Sequence, residues 1–298
     1  MTEESERRAG EVIGGRYRLD SLISRGGQGA VFAATDLVVN EPVAVKLLSG
    51  TRATDPEWRE RMFREARAMV RLAGTAAVRV LDQKWSEKGE LCLILERLVG
   101  EDLEQYLDKR EAEGVRFELA ELYRLLEPIA ETLDAAHSAG ILHRDVKPAN
   151  IFVLSEGGVR LLDFGFAKFV TLRGLTRYGY IAGSPSYIAP ESWSGKSDAL
   201  DSRVDVYALG AVAFRALAGH APFQTEKVVD LYQLVISAPR PSLHAVRPDL
   251  PREIDAWVEH ALAIDPNERF MTAKALWSAL GAVVAANELS RSASTNTE

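Results

Sequence analysis

Polar and apolar residues alternate along three early stretches of the chain, "RYRLDSLIS", "AVFAATDLV" and "EPVAVKLLS", and Val is frequent in them. That period of two predicts strands. Gly26, Gly27 and Gly29 punctuate the first two, and "VVNEP" joins the second to the third as a hairpin. A helix is expected next, with Asp55 as its cap and Pro56 in its first turn. Its apolar positions Trp58, Met62, Phe63, Ala66, Met69 and Val70 fall on one face. Two short strands fit "AVRVLDQKW" and "ELCLILERL". After "VGED" the period lengthens to that of helix. It runs over 118–139, where Gly140 is placed to end it, and returns at 204–218, 225–237, 252–263 and 272–286. The pattern predicts an α+β protein with a small antiparallel-sheet N-terminal lobe, carrying one main helix, and a larger helical C-terminal lobe. Residues 1–14 read as disordered, and 287–298, "NELSRSASTNTE", as a polar C-terminal tail.

Composition narrows the classes. At 298 residues, 47% hydrophobic and 27% charged, the chain is long enough for a sizeable core. A net charge of -7 argues against a general nucleic-acid partner. The charged start "MTEESERRAG" lacks a signal-peptide core, and "GAVVAA" is too short to cross a bilayer, so no membrane partner is expected and the location reads as cytoplasmic. Cys92 is the single cysteine and sits in an apolar run, as a small buried hydrophobe would.

The candidate chemistry concentrates in "HRDVKPANIFV", His143 to Val153, where polar groups lie between two apolar runs. Phosphoryl transfer asks for such a set, because the protein's part is to position groups and neutralise charge. Asp145 suits the carboxylate that orients the attacking hydroxyl and accepts its proton. Lys147 suits a cation facing the transferring group. Asn150 and Asp163, the latter in "LLDFGFAK", suit hard oxygen ligands for Mg²⁺. Upstream, the glycines of "SRGGQGAVF" allow close approach to phosphate, and a strand follows them where a dinucleotide-binding fold needs a helix. Lys46 ends the apolar run "VAVK", and Glu65 on the striped helix is its expected partner, with Glu60 at a different angle.

The ordered set "GGQGAV", "VAVK", "HRDVKPAN", "DFG" and "APE" resembles the protein kinase catalytic domain, over about Tyr17 to Ala286. The resemblance implies a two-lobed kinase fold with a catalytic domain at 15–286, divided into lobes at 15–98 and 99–286. It implies ATP between the lobes, with Mg²⁺ or Mn²⁺. Ser24, Arg25, Gly26, Gly27, Gln28 and Gly29 would cover the phosphates. Val31 and Ala44 would roof the adenine and Phe152 would floor it. Leu95 would be the gatekeeper, the backbones of Glu96 and Leu98 would meet the adenine edge, and Asp102 the ribose. Met69, Leu81, Phe164 and His143 match a stacked apolar column, Asp205 a buried anchor, and Glu191 with Arg269 a buried ion pair.

Lys147 makes the chain resemble serine/threonine kinases, bacterial ones above all, acting on protein Ser/Thr hydroxyls. Ser184 stands where the family has a Thr that contacts the catalytic Asp and Lys. Arg144 and Lys168, with Arg61, match positions that receive a phosphorylated activation segment, for which Thr171, Thr176, Tyr178 and Tyr180 are candidate acceptors and Thr176 the first choice. Two departures stand out: Ser24 replaces the first loop glycine, and Tyr180 occupies a frequent phosphothreonine position. Asp102, Glu104 and Glu127 would either favour basic substrates or mark only a solvated face, and similar bacterial kinases dimerise through the small lobe. The alternatives are an ATP-binding pseudokinase scaffold and a small-molecule kinase.

Overall fold

The structure is a computed structural model that describes residues 8–26, 29–48, 69–164, 185–194 and 200–295. It divides into two compact units, Met1–Val99 and Gly100–Glu298.

The first unit is built on six strands, β1 (Val12–Ile13), β2 (Tyr17–Gly26), β3 (Gly29–Asp36), β4 (Glu41–Leu48), β5 (Val80–Trp85) and β6 (Leu91–Glu96). They form one antiparallel sheet in the order β1-β2-β3-β4-β6-β5. Alternation assigns the two faces. Tyr17, Leu19, Phe32, Val43, Val45, Cys92 and Ile94 close into one core cluster with Ile13, so the residues between them point to the other face. The helix expected from Asp55 lies mostly outside the described residues, and only Met69 and Val70 of it are described as helical.

Two expectations are corrected in this unit. Residues 8–14 are not disordered. Val12 and Ile13 pair with Arg18 and Tyr17, and the Arg8 guanidinium grips the carboxylates of both Glu11 and Glu90 at 2.7–2.9 Å. Leu81 is 44% exposed, which removes it from a buried column. The ladder shifts between Val80 and Asp82, so Leu81 has no partner across the strand pair.

The second unit has a small antiparallel sheet, β7 (Gly100–Asp102), β8 (Ile151–Leu154) and β9 (Val159–Leu161). Its helices are α1 (Leu103–Ala112), α2 (Leu119–Ser138), α3 (Arg203–Ala218), α4 (Val228–Ser237), α5 (Leu243–Val246), α6 (Glu253–Ala261) and α7 (Ala273–Thr295). Helix α3 is its central post, buried from Val204 to Leu217. Gly210 lets α3 approach α6, since a Cβ there would lie 2.9 Å from Ala261 Cβ. Helix α7 corrects the expected tail by continuing to Thr295. No Gly or Pro interrupts "NELSRSAST", and the Ser292 hydroxyl donates to Glu288 O at 2.9 Å.

Candidate active site

In the second unit the segment from His143 to Asn150 is assembled around one carboxylate. Asp205, in the first turn of α3, is 1% exposed. Its Oδ2 accepts from the His143 N–H and from His137 Nε2 at 2.8 Å each, and its Oδ1 accepts from the Arg144 N–H at 2.7 Å. Burial works to raise the Asp205 pKa. The hydrogen bond and charge of His137, with the His143 N–H, outweigh burial and hold it below the usual carboxylate range. This grip matters for geometry, because Arg144 stands at φ 63, a strained backbone for a non-glycine residue.

His143 carries the next bonds. Its Nε2 donates to Leu162 O at 2.8 Å, so its Nδ1 is the acceptor for the Asp145 N–H at 3.2 Å. Burial pushes the pKa of this imidazole down despite the charges of Asp205, Asp145 and Asp163, which keeps that tautomer neutral. Asp145 is buried, and its Oδ2 accepts from Lys147 Nζ at 3.0 Å and from Asn150 Nδ2 at 3.1 Å. Asn150 Nδ2 also donates to Asp145 O at 2.7 Å. Both bonds use the amide nitrogen, leaving the carbonyl oxygen as what Asn150 offers a cation.

Asp163 is brought to the same place by its neighbours. Leu162 donates its N–H to Asn150 O at 2.8 Å and accepts from His143, while the Phe164 ring packs on His143 at 4.6 Å. Asp163 itself has φ 54, a left-handed backbone that Asp tolerates better than most residues. The structure thus gathers Asp145, Lys147, Asn150 and Asp163 around one loop and the strand end that follows β9. The Glu191 carboxylate meets Arg269 in a two-pronged pair, both bonds 2.7 Å, as the resemblance implied.

On the first unit's sheet, register places Ser24, Val31, Lys46 and Leu93 in one cross-strand row, with Ala44 opposite Leu95 beside it. Cross-strand partners share a face, and this is the face away from the core cluster. Lys46 is only 3% exposed there, and Ala44 and Leu95 are buried. Arg25 and Gly26 end β2, and Gly26 pairs with Gly29 at the head of the hairpin. Glu96 donates its N–H to Arg79 O at 3.0 Å and accepts the Arg79 N–H on its carboxylate at 2.9 Å, and Leu98 follows β6 half-buried. In the second unit Asp102 and Phe152 are register partners across β7 and β8. Asp102 also caps α1, accepting from the Gln105 N–H at 3.0 Å.

Gly27, Gln28, Arg61, Glu65, Lys168, Thr171, Thr176, Tyr178, Tyr180 and Ser184 lie outside the described residues. The three acids offered as a reason to favour basic substrates have work inside the chain. Asp102 caps α1, Glu104 accepts from Arg215, and Glu127 accepts from the Tyr123 hydroxyl. Sequence reasoning passed over His137 and Arg215. The signal for Arg215 was a single cation inside the apolar run "AVAFRALAG".

The family assignment follows from comparison with known proteins. The protein kinase domain family matches residues 17–279, and the chain belongs to that family. It is similar to the probable serine/threonine-protein kinase PknB of Corynebacterium glutamicum, 37% identical over 91% of this chain and 42% of that protein. It is equally similar to the serine/threonine-protein kinase PknA of Mycobacterium tuberculosis, 37% identical over 93% of this chain and 63% of that protein. The crystal structure of the Mycobacterium tuberculosis PknI kinase domain superposes with a TM-score of 0.72 at 28% identity, covering 92% of this chain and 98% of that one. The chain therefore has the kinase fold, and it spans about two-fifths to two-thirds of the length of the curated relatives it matches. The kinase domain implies the use of ATP and a divalent metal in general. Among the described residues, no helix is long and apolar enough to cross a membrane.

Proposed function

We propose that this chain is a protein-serine/threonine kinase that moves the γ-phosphoryl group of ATP to Ser or Thr hydroxyls of proteins, including its own activation segment. The observation that carries this reading is the bonded set Lys147–Asp145–Asn150, held on a loop anchored by Asp205. Asp145 orients the acceptor hydroxyl and takes its proton as the oxygen–phosphorus bond forms. Lys147, 3.0 Å from Asp145, lies where its charge offsets the negative charge of the transferring group. Lys46 holds the nucleotide's phosphates, with Glu65 as its partner. The backbone of 24–29 covers the phosphates, Val31, Ala44 and Leu95 enclose the adenine, and Phe152 and Asp102 meet it and the ribose.

The donor set fits a small hard cation: the amide oxygen of Asn150 and the carboxylate of Asp163 are both hard oxygen donors. We assign Mg²⁺ to it over Mn²⁺. The cation's contribution when bound is to neutralise phosphate oxygens. Arg144 and Lys168 receive a phosphate on Thr176, and Ser184 steadies Asp145 and Lys147. The same reading has the chain act in the cytoplasm, where ATP is supplied.

A homodimer through the first unit forms part of the same reading. Its support is a run of three exposed aliphatic side chains at the β3–β4 turn, Leu37, Val38 (72% exposed) and Val39. Asp36 braces that turn by accepting from Arg16 and from the Val38 N–H. Val38→Asp is expected to halve the mass seen by analytical ultracentrifugation; an unchanged mass would remove the dimer.

Initial rates of label transfer from ATP to Ser/Thr and Tyr peptides, with Mg²⁺ or Mn²⁺, test the activity. Transfer to Ser/Thr with Mg²⁺, and phosphate mapped to Thr176, are the expected results. Label confined to Tyr178 or Tyr180 would overturn the residue class. ATP binding without transfer would leave the scaffold reading.

A further inference from the structure

The end of α1, the loop after it and the end of α3 enclose a cavity of about 310 Å³. Its floor is apolar, made by Leu107, Phe117 and Leu217, each no more than 2% exposed. Glycines keep it open. Gly114 stands at φ +70 with no atom within 4 Å of where its Cβ would be, and a Cβ on Gly219, at φ +85, would meet only Glu111 Oε1 at 3.9 Å. The volume lies at the small end of ligand pockets, which pair an apolar lining with a few polar groups.

The charges on this lining are unevenly matched. Glu111 is bound to Arg215. Arg110 lies over the Phe117 ring at 4.1 Å and meets Glu121 through Nη1 and Nη2 at 2.8 and 3.0 Å. Its Nε is buried and has no hydrogen-bond partner among the described residues. Arg116 is exposed, and its guanidinium makes no hydrogen bond to the described residues. Its charge reaches Asp249, whose two carboxylate oxygens are already taken by Arg247. The cationic side of the cavity therefore has a charge and an N–H donor still to give. The backbone has little to add, because the N–H groups of Gly114, Val115 and Gly219 donate to Glu111 O, Arg110 O and Arg215 O. A peptide main chain would find no donor in those three, so recognition falls to side chains.

We infer that this cavity binds a small amphiphilic carboxylate, its apolar body resting on Leu107, Phe117 and Leu217 and its carboxylate against Arg116. None of these residues belongs to the phosphoryl-transfer site, so this ligand and ATP bind independently.

The test is a ligand-observed NMR titration of hydrocinnamate, an aromatic ring on a short carboxylate chain, against the full chain with and without saturating ATP. Hydrocinnamyl alcohol is the uncharged comparator. Saturable binding at about 1 mM or tighter is expected, unchanged by ATP and about tenfold weaker for the alcohol. Arg116→Glu, on an exposed side chain, should weaken hydrocinnamate at least about tenfold and leave the alcohol within about twofold. Ala218→Leu, which puts a larger side chain on the cavity wall, should abolish binding of both. Arg116→Glu decides the matter if Ala218→Leu fails to fold. Absence of saturable binding, displacement by ATP, equal affinity for acid and alcohol, or indifference to Arg116→Glu would overturn the inference. Binding of an acidic, Phe-containing peptide without binding of hydrocinnamate would give the cavity to a protein partner and overturn it too.

Discussion

Asp205 shows how much of the site depends on one side chain that touches no reactant. Three donors converge on it, two of them backbone N–H groups of the loop that carries Asp145. Asp205→Asn replaces an acceptor oxygen by a donor against those groups and is expected to cost about 3 kcal/mol in denaturant unfolding. The pH dependence has a definite sign. Asp205 and His143 both have folded pKa values below their ordinary ones, so the unfolded chain binds more protons and acid destabilises the fold. The His143 contribution is complete above about pH 6.5 and that of Asp205 above about pH 4, each fading as the pH drops below that value. Asp205→Asn should flatten the lower limb, read by thermal unfolding across pH. An unaltered lower limb would contradict the assignment. Asp145, Lys147 and Asn150 were legible in the sequence because polar groups stood between apolar runs within eight residues. Asp205, His137 and Arg215 were less so, because their partners come from segments 60 to 110 residues away, and no local pattern records such a contact. Cys92 is as legible as the loop: its apolar run buries it and pushes the thiol up to about 12, so alkylation of the folded chain should be negligible.

Among the elements, β2 to β6 of the first unit were readable to within a few residues, because alternation reports the two faces of the sheet directly, whereas the two-residue β1 is too short to show a period. The resemblance, which put Leu81 in a buried column, failed there, because an extra residue in the ladder leaves Leu81 without a cross-strand partner. Helix α1 was missed although Asp102 caps it, Glu104 lies in its first turn and Lys109 and Arg110 in its last. Its apolar face is narrow, with only Leu103 and Leu107 buried, so periodicity gave little sign of it. Gly100 is the element-scale residue most open to test. It opens β7 at φ +145, and a Cβ would sit 2.0 Å from Val153 O in the paired strand. Gly100→Ala is expected to lower stability by about 2–4 kcal/mol, because both the backbone strain and the clash fall on backbone atoms. A loss under about 0.5 kcal/mol in thermal unfolding would mean that β7 and β8 are not paired as described.

For the whole molecule, the family assignment and the bonded site point the same way. The order of the motifs along the chain carried the fold class, since five segments of independent chemistry rarely occur in that sequence by chance. The geometry adds what order alone cannot: that Asp145, Lys147 and Asn150 share one oxygen, and that Asp163 is tied to them through Leu162. The most direct measurement is the rate of label transfer from ATP, in the presence of Mg²⁺, by wild type and by Asp145→Asn, with nucleotide affinity measured on both. Wild-type transfer that falls by about 10²–10⁴-fold in the variant, with ATP affinity unchanged, is the predicted result. Equal transfer by both, or none by a wild type that binds ATP, would contradict the account.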